Sequence, residues 1–468
     1  MPRTNTRPNV ILINCDDLGY GDLGCYGSQL NKTPALDQLA KEGIRFTSFY
    51  MASPVCSPSR GALLTGCYPP RFSFGLFEGL PVLFPGQAVG LPQSEISIAR
   101  VLRDAGYRTQ MVGKWHCGDQ DGFLPVNHGF EHYFGLPYSN DMGRQTNHPD
   151  GIPVPPPLPL LLDGEVIEQQ PDQSSLTERY VQEAVQFMRA SRDDPFFLYL
   201  AHMYVHVPIY VTEERLEQSD NGVYGAAVES IDWATKVIMR ELAQLGLDEN
   251  TIVIFTSDNG SLAEKPIYGT NVPTGGSNLP LRGTKTTTWE GGQRVPAIVR
   301  WKGTITPQQV NDTLLTSMDL YPTLAAFCGA HVPNDRVIDG KDVSDIWLGA
   351  STKSPHETFA YYAGNSLEAI RDAQWKLHFA KGRHEVFELY DLIRDVSESH
   401  NVYEHNPDVV ARLTAHADEW RRELGDARLS IEGSSIRPIG RVETPKPLTV
   451  FDPSYPYVVA EYDLDHKG

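Results

Sequence analysis

Residues 56–66 of this chain read Cys-Ser-Pro-Ser-Arg-Gly-Ala-Leu-Leu-Thr-Gly, shortly after a run typical of a strand, Ile44–Tyr50. Ser57 can cap a helix, and Pro58 suits the first helical position. A run of good helix formers follows, and Gly66 can end the helix. The stretch therefore predicts a strand followed by a helix, the repeating unit of an α/β fold.

Cys56 would lie at the N-terminus of this helix, one turn before Arg60. A helix N-terminus and a nearby guanidinium both favour an anion and lower the pKa of a thiol. A residue in the position of a nucleophile would thus face a site suited to a tetrahedral oxyanion. For an isolated Cys-x-Pro pattern, a buried structural cysteine is the ordinary alternative.

Runs typical of strands and helices alternate over most of the chain. The predicted strands are Val10–Ile13, Ile44–Tyr50, Tyr107–Val112, Phe196–Leu200, Thr251–Thr256 and Ala297–Trp301. The predicted helices run from Thr33 to Gly43, from a Ser94 cap to Gly106, from Thr177 to Arg189 and from Ala226 to Leu245. This alternation predicts an α/β domain with a large mixed, mostly parallel sheet flanked by helices.

The pattern changes after about residue 350. Short strands are predicted at Phe359–Tyr362, Trp375–Phe379 and Val386–Leu389, followed by a helix around Pro407–Leu424. We therefore predict a large α/β domain over residues 1–350, which carries Cys56, and a smaller C-terminal α+β domain, with a short antiparallel sheet and a helix, over residues 351–468.

Two segments of the first domain are predicted to lack regular structure. The Pro-rich run Gly151–Leu162 is expected to be a surface excursion, because proline suits neither a helix interior nor a central strand. Gly260–Gly292 is expected to be a long functional loop, because long structureless loops are otherwise uncommon.

Composition excludes several classes of function. The chain has 468 residues and a formal net charge of -19, which argues against binding of a nucleic-acid backbone. No apolar run reaches the roughly 18 residues of a membrane span. Residues 1–8 show no signal-peptide pattern, so we expect a cytoplasmic protein, or a periplasmic or secreted one if a signal segment precedes this sequence. Six cysteines are too few for a disulfide scaffold.

Acidic and amide side chains follow two of the predicted strands. Asp16 and Asp17 follow the first strand, and Asp258 and Asn259 follow the strand that begins at Thr251. Ligands in open α/β sheets gather at the carboxyl ends of strands, so the two pairs can share one cation. Oxygen ligands suit Ca²⁺ or Mg²⁺ rather than Zn²⁺, although a polar loop after a strand is the plain alternative.

The Cys-x-Pro-x-Arg pattern and its Gly-x-Leu-Leu-Thr-Gly tail resemble the signature of the type I sulfatases, which belong to the alkaline phosphatase superfamily. In that family a formylglycine-generating enzyme oxidises the cysteine to formylglycine (3-oxoalanine), whose hydrate is the nucleophile. The resemblance implies an alkaline phosphatase-like fold, a metal held by Asp16, Asp17, Asp258 and Asn259, and a modified Cys56 that completes the ligand set. Ca²⁺ is expected, with Mg²⁺ as the alternative.

Further motifs of that family follow in order along the chain. Gly113-Lys114-Trp115-His116 resembles its Gly-Lys-Trp-His motif, His206-Val207-Pro208 its His-x-Pro element, and residues 283–296 its Gly-Lys…Glu-Gly-Gly-x-Arg-x-Pro segment. The implied roles of Lys114 and His116 are contact with the sulfate and the formylglycine hydroxyl. Lys285 would contact the sulfate or the leaving-group oxygen, and His206 would protonate the leaving oxygen. Arg60 adds positive charge, and Ser139, in a weaker match over Pro137–Asp141, would lie near the sulfate.

The resemblance extends to about Asn401 and implies a sulfuric ester hydrolase, an arylsulfatase-like enzyme that cleaves an aryl sulfate or a sulfated carbohydrate. Positive charge placed in advance around the sulfate oxygens would allow the anionic ester to be attacked. The enzyme's partners would be a small-molecule or saccharide sulfate ester and the maturation enzyme. A phosphonate monoester or phosphodiester hydrolase and an inactive sulfated-glycan-binding protein are the alternatives. The sequence predicts neither the alcohol nor the oligomeric state.

Overall fold

The computed structural model describes residues 7–144, 154–263 and 275–458. Two sheets carry most of the architecture, an 11-stranded sheet and a four-stranded sheet. The strands are β1 (Asn9–Cys15), β2 (Ile44–Tyr50), β3 (Val89–Gly90), β4 (Arg108–Gly113), β5 (His132–Gly135), β6 (Pro159–Leu162), β7 (Glu165–Gln169), β8 (Phe196–Ala201), β9 (Thr251–Ser257), β10 (Arg294–Trp301), β11 (Gln309–Asn311), β12 (Leu315–Thr316), β13 (Phe359–Ala363), β14 (Ser366–Arg371), β15 (Trp375–Lys381), β16 (His384–Asp391) and β17 (Gly440–Arg441).

Helices cover both faces of the large sheet. They are α1 (Pro34–Glu42), α2 (Cys56–Thr65), α3 (Ile98–Asp104), α4 (Leu176–Ala190), α5 (Glu213–Gln218), α6 (Gly222–Leu245), α7 (Glu290–Gln293), α8 (Leu320–Cys328), α9 (Ser344–Trp347) and α10 (Pro407–Leu424). In the described part of the chain, no helix combines the length and apolar character needed to cross a membrane.

The large sheet is mixed and mostly parallel, as the sequence predicts. Its order is β11-β2-β10-β9-β1-β8-β4-β5-β6-β7, and β12 pairs with β2. Strands β9, β1, β8 and β4 are parallel neighbours, whereas β10 is antiparallel to both β9 and β2. The central strands are buried along their whole length, which explains their continuous apolar sequences.

The smaller sheet is antiparallel, in the order β13-β14-β15-β16, and α10 packs on β14 and β15. Tyr50 and Ala62 of the first domain share an apolar cluster with Tyr361 and Leu413 of the second, so the two parts are joined by a core. The boundary at residue 350 stays a prediction. Strand β14 was not predicted, because its Ser-Leu-Glu-Ala-Ile-Arg sequence lacks β-branched enrichment.

Several local predictions are wrong in detail. Helix α2 begins at Cys56 with Val55 as its cap, so Ser57 is helical, and its hydroxyl instead accepts a hydrogen bond from the Leu83 N–H at 3.1 Å. Ser97, not Ser94, caps α3 by accepting from the Arg100 N–H. Gly66 does end α2, with φ of 69°.

Within the two segments predicted to lack regular structure, residues 151–153 and 264–274 lie outside the described residues. The end of the Pro-rich run forms β6, which joins the sheet between β5 and β7 with Pro159 as its first residue. The expected surface excursion is therefore partly wrong, because a proline at the first position of a strand is tolerated. At the end of the second segment, the short helix α7 interrupts the predicted loop.

Candidate active site

The carboxyl ends of five parallel strands meet at one edge of the large sheet. Asp16, Lys114 and Asp258 directly follow the ends of β1, β4 and β9. Cys56 and His206 lie a few residues after the ends of β2 and β8. The Lys285 loop precedes β10, whose antiparallel direction places its first residue at this same edge. The structure thus brings together, as buried side chains, all of the predicted residues: Asp16, Asp17, Cys56, Arg60, Lys114, His116, Ser139, His206, Asp258, Asn259 and Lys285.

Lys114 forms one of two buried lysine–aspartate pairs in the site. Its ammonium contacts Oδ2 of Asp16 and donates to the Ser139 hydroxyl at 3.1 Å. Burial opposes ionisation of Asp16, but Lys114 and the other positive charges around it together outweigh burial and hold the pKa of this carboxyl well below its usual range. Ser139, whose sequence match was the weakest among the predicted site residues, therefore lies where its hydroxyl orients Lys114.

Lys285 forms the second pair. Its ammonium lies 2.8 Å from Oδ1 of Asp17 and 2.9 Å from Oδ2. Asn259 donates from Nδ2 to the same Oδ1 at 2.7 Å, and Nε2 of His206 lies 3.9 Å from Oδ2. Burial lowers the pKa of Lys285, but Asp17 and the other acidic groups around it together outweigh burial and raise the pKa well above its usual value. Asp17 thus joins three separate segments of the chain.

Arg60 holds the segments that carry Asp258 and Lys114 in place beside the two lysine–aspartate pairs. Its Nε donates to Oδ2 of Asp258 at 2.8 Å, and its Nη1 donates to the carbonyl of Lys114 at 2.7 Å. Its Nη2 lies 3.7 Å from Oδ1 of Asp16. All of these groups are fully buried. Arg60 therefore ties α2 to the ends of β4 and β9 through Nε and Nη1, whereas its buried Nη2 has no hydrogen-bond partner among the described residues.

Cys56 lies at the first position of α2, with Sγ 3.5 Å from Oδ1 of Asp16. Burial, together with the charge of Asp16, raises the pKa of this thiol to about 12. The expectation that the helix end and Arg60 would lower the pKa is therefore wrong, because desolvation outweighs both effects. The unmodified thiol is thus a poor nucleophile in this environment.

The two predicted histidines present different nitrogens to the site. Nε2 of His116 lies 2.9 Å from the carbonyl of Leu83, which can only accept, so Nε2 carries the proton and Nδ1 bears the lone pair. Nδ1 is buried and has no hydrogen-bond partner among the described residues. Burial and the charge of Lys114 hold the pKa of His116 well below its usual value. His116 is therefore a neutral acceptor.

His206 presents its other ring nitrogen, Nε2, to the site. Its Nδ1 contacts the carbonyl of Val207, so Nδ1 donates and Nε2 faces Asp17. Burial and the charge of Lys285 lower the pKa of His206. His202, four residues before His206, is also buried, and burial alone lowers its pKa to about 4. Nothing in the described contacts connects His202 with the site.

The residues at this edge fit a hard divalent cation. Ligand atoms of Asp16, Cys56 and Asp258 lie within 4.8 Å of one another, as do those of Asp17, Cys56 and His206. Oδ1 of Asn259 is buried and has no hydrogen-bond partner among the described residues. Carboxylate and amide oxygens dominate this set, and such ligands suit Ca²⁺ or Mg²⁺.

The backbone conformation of two site residues and the partners of Glu290 carry no signal in the sequence. Asp17 and His116 adopt φ values of 63° and 61°, in the left-handed region, which costs a non-glycine residue about 1–2 kcal/mol. Glu290 is buried between the hydroxyls of Tyr50 and Tyr361, each 2.6 Å away, and the Lys376 ammonium at 3.0 Å. This network fixes the end of the Lys285 loop, but its members come from distant segments.

Comparisons with known proteins agree with this geometry. The family described as Sulfatase matches residues 8–330, and the family described as N-sulphoglucosamine sulphohydrolase, C-terminal, matches residues 284–423. Human arylsulfatase A is 40% identical over 434 residues, which cover 84% of this chain and 83% of that protein. N-acetylgalactosamine-6-sulfatase of Rattus norvegicus is 41% identical over 387 residues, which cover 79% and 71%.

A solved structure has a similar fold over almost the whole chain. The structure of Ps i-CgsB in complex with k-i-k-neocarrahexaose superposes with a TM-score of 0.77 at 28% identity. The match covers 92% of this chain and 95% of that one. The similarity thus includes both the large sheet and the smaller C-terminal sheet.

Proposed function

Because this chain belongs to the sulfatase family, and is therefore a sulfuric ester hydrolase, we propose that it cleaves a sulfated saccharide with a nucleophile formed at Cys56. Family membership bears out the resemblance drawn from residues 56–66 and the predicted fold. The observation that carries the proposal is the convergence of two lysine–aspartate pairs, Lys114–Asp16 and Lys285–Asp17, beside the N-terminus of α2. A saccharide is proposed because a relative is named for a sulfated sugar and a structural neighbour contains a saccharide.

Two groups are implied besides the side chains themselves. A divalent cation, Ca²⁺ in our proposal, would be held by Asp16, Asp17, Asp258 and Asn259 and would supply fixed positive charge opposite the sulfate oxygens. Formylglycine, made from Cys56 by a maturation enzyme, would supply a hydroxyl nucleophile that the thiol does not provide. The raised pKa of Cys56, caused by burial and by Asp16, supports the need for such a modification.

The remaining side chains bind the ester and move protons. We assign Lys114 and Lys285 to the nonbridging sulfate oxygens, because both ammonium groups are buried and already face the acidic edge of the sheet. Ser139 holds Lys114 in place, and Arg60 holds Asp258.

His206 is assigned as the acid that protonates the leaving oxygen from Nε2. An anionic ester bound beside it favours its protonated form. His116 is assigned as the base, because the lone pair of Nδ1 is free to accept a proton.

Turnover of matched substrates tests this proposal. The full chain, produced together with a formylglycine-generating enzyme and supplied with Ca²⁺, should hydrolyse nitrophenyl sulfate and sulfated sugars faster than nitrophenyl phenylphosphonate. A preference for the phosphonate ester would make the chain a phosphonate hydrolase with the same site. Binding of sulfated sugars without turnover of any ester, in protein shown by mass spectrometry to be modified at Cys56, would make it a binding protein.

A further inference from the structure

A cleft lies beside Cys56, between the catalytic part of the chain and the β15–β16 hairpin. It has a volume of about 520 Å³, within the range of small-molecule sites and larger than a sulfate group needs. We call it the hairpin cleft and define it by six of its lining residues: Val55, Leu76, Thr286, Trp289, Lys381 and Arg383. No function considered above uses the last four of these.

Two residues that line the hairpin cleft are chain neighbours of two site residues. Val55 immediately precedes Cys56, and Thr286 immediately follows Lys285. The Thr286 N–H donates to the carbonyl of Pro54 at 2.9 Å, which fixes these two segments side by side. A substrate whose sulfate lies between Cys56 and Lys285 therefore has the cleft as room for its alcohol portion.

The turn that carries Arg383 is held rigidly against the Lys285 loop. Lys381 pairs with His384 across a two-residue turn, in which Gly382 adopts φ of 61°. The Gly382 N–H donates to Oε1 of Glu368 at 2.8 Å, and the Thr288 hydroxyl donates to Oε2 at 2.7 Å. Glu368 lines the cleft, is buried and accepts a hydrogen bond at each oxygen, so it fixes the turn against the loop that carries Thr288.

The cationic groups of the cleft differ in what they contact. The Lys381 ammonium pairs with Glu388 and lies 3.1 Å from the centroid of the Trp289 ring. Arg383 is exposed and has no ion-pair partner among the described residues. In a chain with 59 acidic and 40 basic side chains, an uncompensated guanidinium beside the site stands out from the average surface charge. Such a group can pair with a carboxylate or a sulfate through two parallel hydrogen bonds.

We propose that the hairpin cleft binds the sugar next to the sulfated one, and that Arg383 selects substrates in which that sugar carries a second anion, either a carboxylate or a sulfate. This inference rests on the proposed function, because it places the sulfated sugar at Cys56. Arg383 is thus a specificity residue that does not touch the reacting atoms.

Binding to a non-turnover variant tests the inference separately from catalysis. Cys56→Ala protein with Ca²⁺ is titrated calorimetrically with three disaccharides, in which N-acetylgalactosamine 6-sulfate is linked to glucuronic acid, to a sulfated glucose or to glucose. The ratio of affinities, charged over neutral, should fall about five- to tenfold when Arg383→Gln is added, and less for Arg383→Lys. If the ratio falls for the glucuronic acid disaccharide, the anion is a carboxylate; if it falls for the sulfated glucose disaccharide, the anion is a sulfate. In Cys56→Ala protein that retains Arg383, the ratio of charged to neutral affinities should also decrease with added salt.

Arg394→Gln is the matched control, because Arg394 is an exposed arginine on the same small domain, with 85% of its side chain accessible. It should leave the ratio unchanged. Three outcomes would overturn the inference. The affinity ratio of Cys56→Ala protein could be near one, the ratio could be equal with and without Arg383→Gln, or no disaccharide could bind. Turnover of nitrophenyl sulfate by the matured parent enzyme is measured in parallel, and its absence overturns the proposed function instead.

Discussion

Lys285 and Asp17 form a buried ion pair, 2.8 Å from Nζ to Oδ1, between residues that lie far apart in the sequence. Only 9% of the lysine side chain and 3% of the aspartate side chain are accessible to solvent. Each charge is therefore compensated mainly by the other, and removal of one partner from such a pair costs about 3–5 kcal/mol. The pair thus couples the position of Lys285, which we propose binds the sulfate, to the stability of the sheet edge.

The first prediction concerns this coupling. In protein treated with a chelator, Asp17→Asn and Lys285→Met should each lower the free energy of unfolding by several kcal/mol, because each leaves a buried charge unpaired. The double variant should lose less than the sum of the two, with a coupling of about 1–3 kcal/mol. Urea unfolding of the four proteins measures this cycle. Additive losses would mean that each residue is stabilised mainly by other contacts.

The second prediction concerns maturation at Cys56. Mass spectrometry of the tryptic peptide, after production with a formylglycine-generating enzyme, should show loss of the thiol mass. Cys56→Ala should abolish turnover, and Cys56→Ser should give at most slow or single-turnover sulfate transfer, because a serine ester has no second hydroxyl with which to expel sulfate. Full activity of protein that carries only the thiol would contradict the assignment.

Much of the fold and the site could be predicted from local patterns. Buried parallel strands such as β1 and β9 have continuous apolar sequences, and their carboxyl ends must meet at one edge, so the positions of Asp16 and Asp258 follow from topology. Helix α10 was predicted to the residue, because a proline at its start and a glycine after its end limit it clearly.

The remaining features depend on tertiary structure. Ser94 and Ser97 are both suitable caps within one turn, and only the packing of α3 selects Ser97. The pKa of Cys56 rises because burial outweighs the helix end, and the depth of burial cannot be read from neighbouring residues. The left-handed conformation of His116 is likewise unsignalled, because glycine is the residue expected there.

The third prediction concerns the cation. After treatment with a chelator, added Ca²⁺ should raise the melting temperature by several degrees, because a ligand at 100 times its Kd stabilises the folded state by about 2.7 kcal/mol. Asn259→Leu keeps the shape of the side chain but removes its unpartnered oxygen, and should reduce this shift. Asp335→Asn, at an exposed acid, is the control and should retain it. Stabilisation by Zn²⁺ but not Ca²⁺ would contradict the predicted metal.

The fourth prediction concerns acid stability. Burial lowers the pKa of His128 from 6.5 to about 4, so between these values the unfolded chain binds a proton that the folded chain does not. Stability should therefore fall as the pH falls through this window, by about 3 kcal/mol in total from this residue. His128→Gln should reduce the slope of unfolding free energy against pH between pH 6 and pH 4.5 by an amount that corresponds to roughly one bound proton. An equal slope in His128→Gln and the parent protein would contradict this assignment.

The fifth prediction separates the two histidines by the leaving group. His206 is proposed to protonate the departing oxygen, and such help matters most when that oxygen is a poor leaving group. His206→Ala should therefore slow sugar sulfates much more than nitrophenyl sulfate, whose phenolate departs unaided. His116→Ala should slow both classes alike and give a rapid burst of nitrophenol, because its proposed role follows departure of the alcohol. If the dependence of rate on leaving-group pKa is the same in His206→Ala and the parent enzyme, His206 is not the acid.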